Sequence, residues 1–239
     1  MSILDALTDE SADSGRVYGV AAAVVTNNKD PDDLYRVKLK FPWLSDSNET
    51  DWIRIATLMA GGQRGSFFLP EVGDEVLVGF ENGDINRPYV IGSLWNGKDK
   101  SPGSNSDGKN NIRKITSRSG HEIIFDDNAE QKKEKVEIKT NAGHTILLDD
   151  ASGKEKVNIK TKAGHNVTMD DTAGKEKIEI IDKSGSNKIV IDTMKNSISI
   201  ESGMQLKIKS NIVEIEGSSS LTIKSGGVVT VQGSMVKIN

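Results

Sequence analysis

Three stretches of this chain repeat one another closely enough to dictate how it folds. SGHEIIFDDNAEQKKEKVEIKT begins at Ser119, AGHTILLDDASGKEKVNIKT at Ala142 and AGHNVTMDDTAGKEKIEIID at Ala163. The glycines of their Gly-His pairs fall at 120, 143 and 164, and the first aspartates of their Asp-Asp pairs at 126, 149 and 170, so the period is 21 to 23 residues. Fixed self-similarity at such a period marks a stacked architecture. A degenerate fourth copy over 184–202 keeps Gly185 and Asp192 but has no histidine. Each copy reads as two short strands and two turns. Val136, Ile138 and Thr140 share one face, with Glu137 and Lys139 on the other, the period-2 pattern of a strand. After residue 203 the repeat shortens. Leu206/Ile208, Val213/Ile215, Leu221/Ile223, Val229/Val231 and Val236/Ile238 recur every 7 or 8 residues. Ser210, Gly217, Ser225 and Gly233 follow four of these pairs, where a corner needs a small residue.

The apolar stripe of each strand is only one or two side chains wide, too thin to enclose a core within one chain. Three chains wound together would bury the stripes on a common axis and pair each other's strand edges. The expected fold is all-β, with this region an intertwined triple-stranded β-helix in a homotrimer. About 13 strands spaced roughly 4.8 Å apart would give a needle on the order of 60 Å. The trimer core would hold Ile138, Ile159, Ile180, Ile191, Ile200, Ile208, Ile215, Ile223, Val231 and Ile238.

The rest of the chain uses a different vocabulary. Residues 1–97 carry 8 Lys/Arg against 15 Asp/Glu, and residues 98–239 carry 23 against 20. Ten of the eleven aromatics precede residue 98, Phe125 being the exception, and all five prolines lie at or before Pro102. Two domains are expected: 15–97 and 117–239, after a short segment 1–14 and joined by a polar linker 98–116. Residues 16–26, 34–41, 51–58, 75–80 and 88–94 read as strands separated by turn residues, which suggests a five-stranded Greek-key barrel of the oligonucleotide/oligosaccharide-binding (OB) type. Residues 1–14 lack a basic start and a long apolar run, so no signal peptide is expected. No stretch approaches the roughly 18 apolar residues of a membrane span.

RVKLKFPW (36–43) and DWIRIATLMAGGQRGSFFLPEVGDEVLVGFENGDINRPYVIGSLWNG (51–97) resemble the barrel domain of VgrG proteins and of the phage baseplate central spike family, baseplate assembly protein V included. Phe-Pro-Trp, Trp-x-Arg, Gly-x-x-x-x-Pro-x-x-Gly-Asp-Glu-Val and Gly-Asp-x-x-Arg-Pro are specific when taken together, and SGHEIIFDD (119–127) is also similar to that family. The resemblance implies an OB-type barrel, a β-helical homotrimer, and a structural spike in a contractile injection machine: a phage tail, a type VI-like system or an extracellular injection particle. It implies docking to a baseplate hub at the barrel end, contact with inner tube proteins, and piercing of a target envelope, touched only on firing. About 14 residues precede the barrel, so the hub would be a separate polypeptide. The particle would assemble in the cytoplasm and act in the extracellular space or target envelope. The last strands contain no histidine for a metal tip, so a separate PAAR-type tip protein is expected on Ser234, Met235, Val236, Lys237, Ile238 and Asn239.

No catalytic, cofactor or metal site is expected. Without cysteine there is no thiolate chemistry and no thiolate metal site. His121, His144 and His165 could form metal rings in a trimer, but the plainer reading has each fill a turn. The Asp126-Asp127, Asp149-Asp150 and Asp170-Asp171 pairs read as turn formers rather than calcium ligands. Lys-Glu-Lys at 133–135, 154–156 and 175–177 reads as a charge-balanced wet surface, and Asp84 with Arg87 as an ion pair bracing a turn. The net acidity of the barrel region opposes nucleic-acid binding. The alternative is a trimeric tail fibre that binds or cleaves surface polysaccharide. It requires exposed aromatics and paired carboxylates in a groove, and the repeat region has Phe125 as its one aromatic.

Overall fold

The structure is a computed structural model, described over residues 16–44 and 48–238. The chain divides into two compact units, 1–108 and 109–239. The segment 1–14 and the reading of it as non-cleaved lie outside the described residues.

The first unit is a curled five-stranded sheet. Its strands are β1 (Val20–Asn27), β2 (Arg36–Lys40), β3 (Ile53–Arg54), β6 (Glu75–Phe80) and β7 (Pro88–Leu94), ordered β3-β2-β1-β6-β7. A parallel bridge between Ile55 and Val90 brings the two outer strands together. Alternation explains the curl. Val37, Leu39 and Phe41, spaced by two, point inward with Ala23, Val25, Ile53, Val76, Val78 and Val90, and all nine are buried. Val25 lies opposite Leu39, and Val78 opposite both Ala21 and Val90, so the core is stacked across strands rather than along one.

The turn between β1 and β2 is clamped by charge. The guanidinium of Arg36 donates to both carboxylate oxygens of Asp30 at 2.8 and 2.6 Å and to Asp32 at 2.6 Å. The Asp30 carboxylate also accepts the Asp32 and Leu34 amides. Arg36 therefore holds the Asp30 carboxyl far below the usual carboxylate range. Asp33 and Tyr35 adopt left-handed backbone conformations within this turn, with φ of 54° and 61°.

Sequence periodicity missed the short hairpin β4 (Ala60–Gly61) and β5 (Arg64–Gly65). The turn expected at 81–84 is a short 3-10 turn at Glu81–Gly83, with Asn82 and Gly83 at positive φ. Arg87 lies 3.8 Å from Asp84 and 3.7 Å from Glu81, so the expected brace is shared between two carboxylates.

The second unit is one nine-stranded antiparallel sheet in which every strand pairs with its sequence neighbour. The strands are β8 (Ile112–Thr116), β9 (Glu122–Asp126), β10 (Lys135–Lys139), β11 (Thr145–Asp149), β12 (Lys156–Lys160), β13 (Asn166–Asp170), β14 (Lys177–Ile181), β15 (Lys188–Asp192) and β16 (Ser197–Glu201). Two expectations change here. Residues 112–116, assigned to a linker, are the first strand of the sheet. Over 112–201 the ladder closes within one chain instead of between chains, because its turns are short enough for hairpins. After Glu201 the regular pairing stops: no strand is formed over the described residues 203–238, and their side chains are exposed. No helix among the described residues is long and apolar enough to cross a membrane.

Candidate interaction surfaces

The register of the nine strands sorts their side chains into straight columns, because residues directly opposite each other share a face. One face carries two columns. Ile115, Ile123, Ile138, Ile146, Ile159, Val167, Ile180, Ile189 and Ile200 form the first. Arg113, Phe125, Val136, Leu148, Val157, Met169, Ile178, Ile191 and Ile198 form the second. Every position except Arg113 is apolar. Among the described residues of this unit no second layer covers them, and all of them are exposed or half-buried. An apolar face this long and continuous is far from the scattered apolar residues of an ordinary surface.

Of the ten residues expected to form a trimer core, Ile138, Ile159, Ile180 and Ile200 stand in the first column and Ile191 in the second. The structure thus gathers these five on one face. Ile208, Ile215, Ile223, Val231 and Ile238 lie in the unpaired segment and are exposed. Of the second column the expected core included only Ile191, although the alternation from Phe125 to Ile198 is equally regular. Of the expected tip residues, Ser234, Met235, Val236, Lys237 and Ile238 are exposed in the same segment. Asn239 lies outside the described residues.

The opposite face is mixed, with Ile124, Leu147 and Val190 among polar residues in its central column, and a flanking column alternates in sign: Asp126, Lys135, Asp149, Lys156, Asp170, Lys177, Asp192. This column gives the Asp-Asp pairs a second role beside turn forming. The first aspartate of each pair ends a strand, opposite the last lysine of a Lys-Glu-Lys. The second enters the turn, where the amides of Asp150 and Asp171 donate to the carbonyls of Glu134 and Glu155. The strand aspartates also cap the turns that follow, Asp149 accepting from the Ala151 amide and Asp170 from that of Thr172. The Thr172 hydroxyl and amide, with Lys177 and Lys156 adding, hold the Asp170 carboxyl below its usual range. The lysines divide their contacts: Lys156 is 3.8 Å from Asp149, whereas Lys135 and Lys177 reach Glu137 and Glu179 at 3.6 and 2.8 Å.

Single exposed pairs contribute little, but reversing one sign in the column changes two neighbours at once. Asp170→Lys would line up three ammonium groups. It is expected to cost about 1 kcal/mol, lowering the thermal midpoint by a few degrees at about 20 mM salt and by less at about 500 mM. Thermal melts at the two salt concentrations check this.

The histidines sit at one edge of the sheet, where turns 117–121, 140–144 and 161–165 stack. Gly120, Gly143 and Gly164 have φ of 79°, 94° and 100°, a conformation that suits glycine, which accounts for the Gly-His pairs. The first residue of each turn accepts the histidine amide on its hydroxyl: Ser117 for His121, Thr140 for His144 and Thr161 for His165. Each imidazole then reaches the next turn along. Nδ1 of His121, His144 and His165 accepts from the backbone N–H of Asn141, Lys162 and Lys183, each at 3.3 Å. The histidines therefore fill turns, as expected, and also join them. Among the described residues no group of three or more histidines, aspartates and glutamates is placed to hold a metal ion.

Residues 21–95 match the family model described as the type VI secretion system/phage-baseplate injector OB domain. Relatives include the type VI secretion system spike protein VgrG3 of Vibrio cholerae serotype O1, 37% identical over 106 residues, which are 41% of this chain and 10% of that protein. VgrG5 of Pseudomonas aeruginosa is 38% identical over 95 residues, 36% of this chain and 12% of that protein. VgrG1a of the same species is 37% identical over 94 residues, 36% of this chain and 15% of that protein. The chain thus spans between a tenth and a seventh of the length of these relatives.

Proposed function

We propose that this chain, whose N-terminal region carries the injector OB domain of the VgrG and baseplate spike family, is a non-catalytic central spike that works as a homotrimer. The observation that carries the reading is the two-column apolar face, left uncovered by the chain's own second unit. Burial of apolar area drives association at roughly 25 cal/mol per Å², and a three-fold arrangement would turn three such faces toward one axis. The unpaired segment 203–238 supports the same conclusion. Its backbone groups and its Leu206, Ile208, Val213 and Ile215 are exposed, and strands from other copies would satisfy both. The triple-stranded β-helix is thereby proposed for this terminal segment, while the sheet over 112–201 contributes one face per chain.

In this reading the spike is stiff because bending it breaks a continuous ladder. The nine strands alone give about 40 Å at roughly 4.8 Å per strand. The barrel unit would dock a baseplate hub and meet the inner tube through Leu58, Met59, Phe67 and Phe68, exposed apolar residues between β3 and β6. The C-terminal segment would seat a PAAR-type tip protein on Met235, Val236 and Ile238, which are exposed. The particle would assemble in the cytoplasm and meet the target envelope on firing. The polysaccharide-binding alternative is not adopted: Phe125, the aromatic of the second unit, belongs to the apolar columns and not to a polar groove.

Light scattering coupled to size exclusion tests the central claim. At micromolar concentration the expected mass is three times 25.9 kDa. A stable monomer would overturn the reading.

A further inference from the structure

We propose that the turn edge of the sheet is an acid-sensitive latch whose last step, from Asn187 to Gly203, acid does not release. The basis is a substitution within the repeat. In the fourth copy the place of histidine is taken by Asn187. Its amide donates to Asp182, as the histidine amides donate to Ser117, Thr140 and Thr161. Its side-chain oxygen accepts the backbone N–H of Gly203 at 3.2 Å, as the imidazoles accept those of Asn141, Lys162 and Lys183. Asparagine and histidine share one property here, an acceptor atom at the right reach. The role of the histidines is thereby fixed as hydrogen-bond acceptance through Nδ1.

An imidazole that accepts at Nδ1 carries its proton on Nε2. Adding a second proton puts an N–H at Nδ1, facing the N–H of the next turn, and the bond is replaced by a repulsive contact. The three histidines are exposed, so solvent protons reach them directly. Imidazole is also the side chain suited to changing charge between about pH 5 and pH 8. The charged residues on these turns and on the strand ends beside them are Arg118, Glu122, Lys139, Lys160, Lys162 and Lys183, with Asp182, Lys188 and Glu201 around the fourth turn. The excess of positive charge adds to the repulsion once an imidazole is protonated. The Asn187 amide oxygen does not titrate. Acid therefore releases the steps from turn 117–121 through turn 161–165 to Lys183, and leaves the step from Asn187 to Gly203 closed. The strands keep their ladder; what loosens is the edge that ties one hairpin to the next.

Hydrogen exchange on the full chain, read as protection relative to the intrinsic rate at each pH, tests this. Between about pH 7.5 and about pH 5, protection at Asn141, Lys162 and Lys183 is expected to fall roughly 3- to 10-fold, the worth of one hydrogen bond. Protection at Gly203 is expected to stay constant. In His144→Asn the loss at Lys162 alone should vanish, because an amide oxygen then makes the bond at both pH values. An equal loss at all four amides, or an unchanged loss at Lys162 in His144→Asn, would overturn the proposal. A second measurement needs no variant: the nitrogen-15 shifts of the three imidazoles at about pH 7.5 must report a bare Nδ1 and a protonated Nε2, and the reverse tautomer would sink the latch.

Discussion

Ile180→Asp is expected to convert the proposed trimer into monomers while leaving the barrel unit folded. In one chain Ile180 is 48% exposed, between Val167 and Ile189 on the neighbouring strands. A carboxylate there costs the isolated sheet little, since water still reaches it. In a trimer closed on the apolar faces the same change brings three carboxylates towards one axis. Burying an unpaired charge costs several kcal/mol per ion, and mutual repulsion adds to it. The control is the adjacent residue on the other face. Glu179→Ala removes a half-buried partner of Lys177, an effect expected at about 1 kcal/mol, and should leave the mass unchanged. Light scattering on both variants decides the matter: a trimer that survives Ile180→Asp means other copies do not cover this face, and equal loss in both means the two faces are misassigned.

Leu39→Ala is the second large effect, and it is confined to the other unit. Leu39 is fully buried and faces Val25 across the β1–β2 pair. Truncating such a residue costs about 2–5 kcal/mol through lost burial and the cavity left behind, a large share of the roughly 5–15 kcal/mol that holds a domain together. Trp43, Trp52 and Trp95 are the only tryptophans and all lie in this unit, so fluorescence in a urea titration reports on it selectively. The midpoint should fall well below that of the parent protein. Leu58→Ala, at a position 93% exposed, should leave it in place. If both variants unfold alike, the inward set read from the alternation is wrong.

The barrel strands were legible because one face is buried and the other wet, which imprints a period of two: Val37, Leu39 and Phe41 against Arg36, Lys38 and Lys40. The hairpin at 60–65 left no such imprint, being built from Ala, Gly, Gln and Arg with nothing buried. The Asp30–Arg36 clamp was visible only as turn chemistry, since sequence gives no distance between side chains. In the repeats, the alternation of each strand was plain but the pairing was not. The same residues suit a ladder within one chain or between chains, and turn length decides it. The column of alternating charge was hidden for a related reason. Asp126 and Lys135 are separated in sequence by a turn, and only the register sets them opposite each other. The role of Asn187 was equally hidden, because a missing histidine reads as decay until the hydrogen bond to Gly203 is seen.

The hairpin register also makes the sheet a ruler that counts in whole copies. Each copy leaves the histidine edge on one strand and returns to it on the next. Inserting one 21-residue copy would therefore lengthen the stack by two strands, about 10 Å, with both faces and both edges in phase. Inserting a single strand would bring the chain out at the opposite edge and present every later turn on the wrong side. Length in this architecture can change only in quantised steps, and gene duplication of one repeat unit supplies the step size.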